Sequence, residues 1–504
     1  MNRRHFTCTL LAAAAAGSGC ASRRPGPAAG NALLLDPARY TTQALSVNGQ
    51  TLKVRAFEGL PIVTRPVEPE YQTLNLYVPE AYFHGERVGE FDAGSAPIFL
   101  PNAVGGYMPA KPGTLRHRLP GPPGQPASPS ASALALAHGF VVAAPGARGR
   151  TLRAADGRWT GKAPAAIVDL KAAVRWLRHN AGRMPGNAER IISNGTSAGG
   201  ALSALLGASG NHPDYEADLQ ALGAAPARDE VFAVSAYCPI TNLAHADEAY
   251  EWQFEGLREY RNIAVSMLDF RVQRQEVLGQ LSDAQLALSA EMRAAFVAYV
   301  NSLGLNAAEG GRLSLEASGD GRLREHIATL LRDSAQRALD AGQDLSGTAW
   351  LTRQGSRVVA VDVLAYARAV GRMKAQPAFD GFALETGENQ LFGDTVTDKR
   401  HFTAFSARHS QLADAALADA ATVRAMDAMQ QIRDDRATVA AHWRIRHGTL
   451  DRDTSLAVPA LLAAAARQRG AQVDLALPWG RPHSGDYDLD ELLAWMLAQV
   501  RAAA

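Results

Sequence analysis

The sequence predicts an α/β fold: a mostly parallel sheet flanked by helices and interrupted by a large, mainly helical insertion. Three observations predict it. From about Thr51, short β-branched runs alternate with Ala/Leu/Arg-rich stretches, as strands alternate with crossover helices. The richest glycine cluster, Gly195 to Gly200, directly follows one such run. Between about Ala244 and Leu417 strand-like runs become sparse while helical composition persists.

Residues 1–20 carry Arg3-Arg4, an apolar run over 10–16 and small residues ahead of Cys20, the layout of an export signal. The apolar run is too short to cross a hydrocarbon core of ~30 Å as a helix. Gly17-Ser18-Gly19-Cys20 resembles a lipobox, so Cys20 is the expected lipidation site, and residues 2–6 resemble a twin-arginine signal. The chain is therefore expected outside the cytoplasm, periplasmic or at the cell surface, touching membrane only through lipid on Cys20. Residues 21–33, with Pro, Gly and Ser at 22–30, read as a tether. Once the signal is removed, Cys20 and Cys238 are the cysteines left. With the first lipidated the second has no partner, so packing and not disulfides is expected to hold the fold.

The folded body divides into residues 34–243, an inserted lid over 244–417, and 418–504. In the first part, short apolar runs at 96–100, 139–145, 190–194 and 231–237 read as strands. Ile167, Leu170, Val174 and Leu177 at helical spacing make 165–180 an amphipathic crossover helix. In the last part, strands at 443–446 and 473–477 frame a helix at 455–469, and a final helix covers 489–501. Pro-rich 119–129 reads as a surface loop, and no repeat of fixed period is present. Net charge is +1, from 51 Lys plus Arg against 50 Asp plus Glu; no field gathers polyanions, which argues against a nucleic-acid partner.

Gly195-Thr196-Ser197-Ala198-Gly199 satisfies G-x-S-x-G between a strand and a helix start, the context in which the serine stands at the apex of a sharp turn, as in α/β-hydrolases. A serine hydroxyl needs a histidine base and a carboxylate to orient it. In this fold the acid follows a late strand and the histidine follows the last one. Asp451 and His483 occupy those places, whereas His138, His245, His442 and His447 read as structural. Asp453 competes with Asp451, and spacing does not separate them. The pair would also suit a metal, but no histidine at ligand spacing completes a site, so no metal is expected. Asp486, Asp488 and Asp490 read as a helix N-terminus. The oxyanion hole requires the Ala198 N–H and one from the early loop 102–107, where Gly105 and Gly106 both qualify.

Several segments together resemble bacterial tannases, which are gallate esterases. These are NGTSAGGALSALLGASGN at 194–211, LPNAVGGYM at 100–108, FAVSAYCPI at 232–240, AYEWQF at 249–254, HWRIRHG at 442–448 with DRDTS at 451–455, and PHSGDYD at 482–488. The resemblance implies an α/β-hydrolase fold, the triad Ser197, Asp451 and His483, and a substrate role for Asp453. It also implies that Lys374, in GRMKAQPAFD, and Glu388, in GENQLFG, bind the galloyl ring from within the insertion. Ala198 and Gly106 are then the expected oxyanion donors. The implied partner is a small galloyl ester and no cofactor is needed, because the triad supplies base and nucleophile itself. A feruloyl or other aromatic ester is the alternative acyl group. A non-catalytic receptor on the same fold would have lost a triad member, and none is lost. The N-terminal signal and the Pro-rich loop fall outside the shared pattern.

Overall fold

The computed structural model describes residues 32–115, 129–268 and 271–502. The export signal with Cys20, almost all of the tether and most of the Pro-rich loop lie outside the described residues.

In chain order the strands are β1 (Thr41–Val47), β2 (Gln50–Pro61), β3 (Thr73–Pro79), β4 (Pro97–Pro101), β5 (Val141–Pro145), β6 (Asn187–Thr196), β7 (Ala233–Tyr237), β8 (Glu259–Leu268), β9 (Arg271–Gln280), β10 (Leu351–Gln354), β11 (Arg357–Val361), β12 (His442–Arg446) and β13 (Gln472–Ala476). Among the described residues nine of them form one sheet in the order β1-β2-β3-β5-β4-β6-β7-β12-β13. From β5 to β13 every neighbour is parallel, while β1, β2 and β3 join in antiparallel pairing. Every residue of β5, β7 and β12 is buried, because helices cover both faces of a parallel sheet.

The strands foreseen at 96–100, 139–145, 190–194, 231–237, 443–446 and 473–477 all form, within a few residues. So do the crossover helix Ala165–His179, the helix Ala457–Gln468 and the final helix Leu489–Ala502. The first three strands had no counterpart in the sequence reading. β1 and most of β2 are exposed or half-exposed, so neither carries the continuous apolar run that marks the inner strands.

Between β7 and β12 the chain makes the helices Leu243–Gln253, Asp283–Leu303, Arg322–Asp340 and Val363–Val370, with shorter ones following. A mainly helical insertion is corrected in one respect: β8 with β9, and β10 with β11, form two antiparallel hairpins. Among the described residues neither joins the nine-stranded sheet, although Tyr260 of β8 bridges to Arg372, so neither hairpin needs a uniformly apolar face, and charged, Gln-rich sequence hides it. Trp252, Phe254, Phe296, Tyr366 and Phe379 of this region share one buried cluster with Ile191, Val234 and Trp443 of the sheet. Among the described residues no helix is long and apolar enough to cross a membrane.

Candidate active site

β6 ends at Thr196 and the next helix, Ala198–Ala208, begins at once, leaving Ser197 alone between them at φ 61° and ψ −123°. Such a conformation is strained for a residue with a Cβ and persists only when its surroundings hold it. Here the Ser197 N–H donates to the Tyr237 carbonyl at 3.0 Å and the Ser197 carbonyl accepts from Ala201 at 2.9 Å. Close approach behind the turn requires glycine: a Cβ on Gly199 would lie 2.7 Å from the Val104 carbonyl oxygen.

That contact also carries the neighbouring loop. Asn102 donates its backbone N–H to Asn194 at 2.9 Å, and its side-chain amide to the Gly199 carbonyl and Ser203 Oγ, each at 3.0 Å. Tyr107 donates its hydroxyl to Ile240 at 2.8 Å. Gly105 lines a cavity of about 570 Å³ together with Asn102, Asn194, Thr196 and Ser197. Gly106 stands one residue beyond that wall at φ 54°, its carbonyl accepting from Arg150 Nε at 2.8 Å.

Asp451 lies on the turn after β12 and His483 on the loop after β13. His483 Nδ1 meets Asp451 Oδ2 at 2.8 Å, and the Asp453 N–H donates to Asp451 Oδ1 at 2.9 Å. The carboxylate is fully buried. Burial works against the charge, yet the field of His447 and the hydrogen bond donated by His483 hold the Asp451 carboxyl below its usual range. The same bond raises His483 above the ordinary imidazole value, against the opposing effect of desolvation. With Nδ1 engaged, Nε2 is the free nitrogen, and it faces Cys238 Sγ at 4.0 Å. Among the described contacts His483 makes no hydrogen bond to Ser197 Oγ; bonds of this kind tighten when substrate closes the site.

The histidine loop presses on the nucleophile turn: a Cβ on Gly485 would lie 1.8 Å from Thr196 Oγ1. Asp486 Oδ1 accepts from Asn194 Nδ2 at 3.1 Å at φ 52°. This corrects its reading as part of a helix N-terminus, since the helix begins at Leu489. Asp488 stands at that helix start, but its carboxylate is taken by Arg444 at 2.5 Å.

Asp453 joins the pair to the insertion. Its Oδ2 lies 3.5 Å from His483 Nδ1 and its Oδ1 lies 3.8 Å from Lys374 Nζ. Lys374 Nζ sits 3.9 Å from the Phe379 ring centroid, a cation–π contact that orients the ammonium. Behind it, the Tyr250 hydroxyl accepts from the backbone N–H groups of Met373 and Lys374 and donates to the Arg452 carbonyl, at 3.0, 3.0 and 3.1 Å. Arg372 pairs bidentately with Glu251, both side chains fully buried, and its Nε donates to the Lys374 carbonyl at 2.8 Å. Glu388 stands in the first turn of the short helix Gly387–Leu391, capped by Thr386, and acts electrostatically on Tyr107 and Arg150. Among the described contacts it does not touch Lys374 or Asp453.

Tyr250, Asn102 and Cys238 are the neighbours that sequence reasoning left without a role. His138, His245 and His442 bond Leu134, Glu248 and Gln472. His447 is fully buried, 3.8 Å from Asp451. Cys238 is a free, buried thiol, and one ligand atom from each of Cys238, Asp451 and His483 lies within 4.8 Å of the others. That grouping could hold a metal ion and was hidden because its histidine and thiol are distant in sequence.

Breaking the Arg372–Glu251 pair leaves one buried charge unpaired, which costs about 3–5 kcal/mol. Arg372→Met is therefore expected to destabilise by that amount in urea denaturation, and a second change, Glu251→Leu, to recover part of the loss. Equal stability of Arg372→Met and the parent would contradict the structural role.

Residues 131–286 match the BD-FAE family. Over 62 residues the chain is 44% identical to esterase LipC of Mycobacterium tuberculosis, a match spanning 12% of this chain and 14% of that protein's length. The solved tannase of Fusobacterium nucleatum is 44% identical with a TM-score of 0.87, covering 93% of this chain and 99% of that one. A Lactobacillus plantarum tannase is 44% identical with a TM-score of 0.88, at 93% and 100% coverage. A tannin acyl hydrolase in complex with ethyl gallate is 44% identical with a TM-score of 0.86, at 93% and 99% coverage.

Proposed function

The chain belongs to the bacterial tannase family and is a carboxylic ester hydrolase, and from that premise we propose that it cleaves galloyl esters by acyl transfer to Ser197. The observation that carries this reading is the contiguous run from Lys374 through Asp453 to His483, beside the Asp451–His483 pair. A polar clamp and a base meet there.

Ser197 Oγ attacks the ester carbonyl while His483 Nε2 takes its proton. Asp451 keeps the proton of the imidazole on Nδ1 and stabilises the imidazolium that forms. The N–H groups of Ala198 and Gly106 receive the oxyanion. Collapse expels the alcohol, which takes the proton back from His483, and leaves galloyl-Ser197. Water, deprotonated by the same nitrogen, then releases gallate. At the far end of the ring, Asp453 and Glu388 accept from phenolic hydroxyls and the Lys374 ammonium donates. Release of gallate from methyl gallate, compared with hydrolysis of methyl ferulate, tests the reading; turnover of ferulate alone would move the acyl group to a methoxylated aromatic acid.

The hydrogen bond that His483 Nδ1–H donates to the Asp451 carboxylate favours the imidazolium, so neutral His483 dominates only at higher pH. The acid limb of kcat/KM is expected above the ordinary imidazole value of about 6.5. Asp451→Asn removes the carboxylate charge; the limb shifts to lower pH while kcat falls by about 10⁴. A limb unmoved by that substitution would assign it to another group.

Export and lipidation at Cys20 belong to the same proposal. Labelled palmitate is expected to enter the full-length chain in a bacterial host and to be absent from Cys20→Ala; equal labelling of both would contradict the anchor.

A further inference from the structure

We infer that a thiophilic divalent cation of the zinc or cadmium class binds between Cys238 Sγ and His483 Nε2 and switches the enzyme off by occupying its base. The inference rests on the reading of His483 as that base.

The geometry suits a cation of this class. Metal–sulfur and metal–nitrogen bonds of about 2.3 and 2.0 Å sum to more than the 4.0 Å between Sγ and Nε2, so one ion reaches both. A contraction of about half an ångström brings the angle at the metal to tetrahedral. The nitrogen is prepared for it: Asp451 holds Nδ1 at 2.8 Å, which leaves the Nε2 lone pair outward and reproduces the carboxylate–histidine–metal arrangement of metal sites. Asp451 Oδ2 is committed to Nδ1 and serves as the supporting carboxylate. Cys238 is equally fixed. Its backbone, at φ 37°, donates to the Arg446 carbonyl at 2.6 Å, and its thiol points to Ser484 O at 3.4 Å.

Such a soft and borderline ligand pair selects zinc, cadmium or mercury over magnesium or calcium. Binding transfers the thiol proton and the Nε2 proton of the imidazolium to solvent and leaves a metal–thiolate bond; the imidazole then contributes its Nε2 lone pair and no electron is exchanged. Because the ion takes the nitrogen that must accept the Ser197 proton, it competes with catalysis and binds more tightly as pH rises.

The test uses cadmium chloride and zinc chloride on the protein beginning at residue 21, with magnesium chloride as comparison. Titration with cadmium is expected to give a one-to-one thiolate-to-cadmium charge-transfer absorption, retained in Ser197→Ala and absent from Cys238→Ala and Cys238→Ser. In ester hydrolysis, half-inhibiting zinc and cadmium concentrations are expected to rise at least tenfold in both Cys238 variants, each normalised to its own uninhibited rate, with magnesium inert throughout. Absence of the absorption band from the wild-type protein, unchanged sensitivity of the variants, or activation by zinc would overturn the inference. The absorption needs no turnover, so failure of the gallate reading and failure of this site remain distinguishable.

Discussion

Ser197→Ala is expected to lower kcat for methyl gallate by about 10⁶, a loss of roughly 8 kcal/mol of transition-state stabilisation. No other hydroxyl can take over, because only residue 197 stands between β6 and the helix Ala198–Ala208, in the strained conformation that lifts its side chain clear of both. Residual rate of about 10³ over water is expected from oxyanion donors and binding alone. The substitution removes one oxygen from a half-buried position, so stability is expected to change by less than about 1 kcal/mol. Combining Ser197→Ala with His483→Ala is expected to add little, since base and nucleophile act as a unit. Steady-state kinetics on the three proteins, with thermal melts as control, checks each point; a residual rate within tenfold of wild type would remove Ser197 from the reaction.

The second large effect concerns the ring and not the ester. A site built to hydrogen-bond substrate hydroxyls rejects an analogue lacking them by about 10⁴–10⁵, because its buried polar groups are left unpaired. Lys374 and Asp453 are less than a third exposed and 3.8 Å apart, so an unhydroxylated ring would cover both without satisfying either. Methyl benzoate is therefore expected to fall below methyl gallate in kcat/KM by about that factor. Lys374→Met is expected to cut kcat/KM for gallate by about 10²–10³ while leaving benzoate nearly unchanged, the loss of one charged hydrogen bond and the pairing it completes. Asp453→Asn should act less selectively, because Asp453 also lies 3.5 Å from His483, and its kcat is expected to fall with its specificity. A Lys374 variant that loses gallate and benzoate activity in equal proportion would make the lysine a structural group.

The turn that carries Ser197, its strand and the places of Asp451 and His483 after the last two strands were legible because parallel-sheet topology dictates them. A strand must end in G-x-S-x-G, and the late strands β12 and β13 must deliver Asp451 and His483 to the same edge. The choice between Asp451 and Asp453 was not legible from spacing: both lie on one turn, and only the fold shows Asp451 buried beneath His483 while Asp453 leans toward Lys374. Lys374 and Glu388 are lone charges in a helical insertion, and without the family resemblance nothing local marks them. Tyr250 and Cys238 were silent for the same reason, since their partners Lys374 and His483 stand 124 and 245 residues away. The hairpins escaped because their charged, Gln-rich sequence shows no burial pattern, and β1 and most of β2 because an exposed sheet margin needs few apolar residues; β3 is buried from Leu74 to Pro79, but Asn75 breaks its apolar run.

Initial rates of methyl gallate, methyl ferulate and methyl benzoate, measured side by side with protein beginning at residue 21, decide whether the site is built for a trihydroxylated ring. Gallate release is expected to exceed hydrolysis of both other esters by orders of magnitude, benzoate being the poorest. Ferulate or benzoate cleaved as fast as gallate would contradict that specificity, and with it the clamp assigned to Lys374, Asp453 and Glu388.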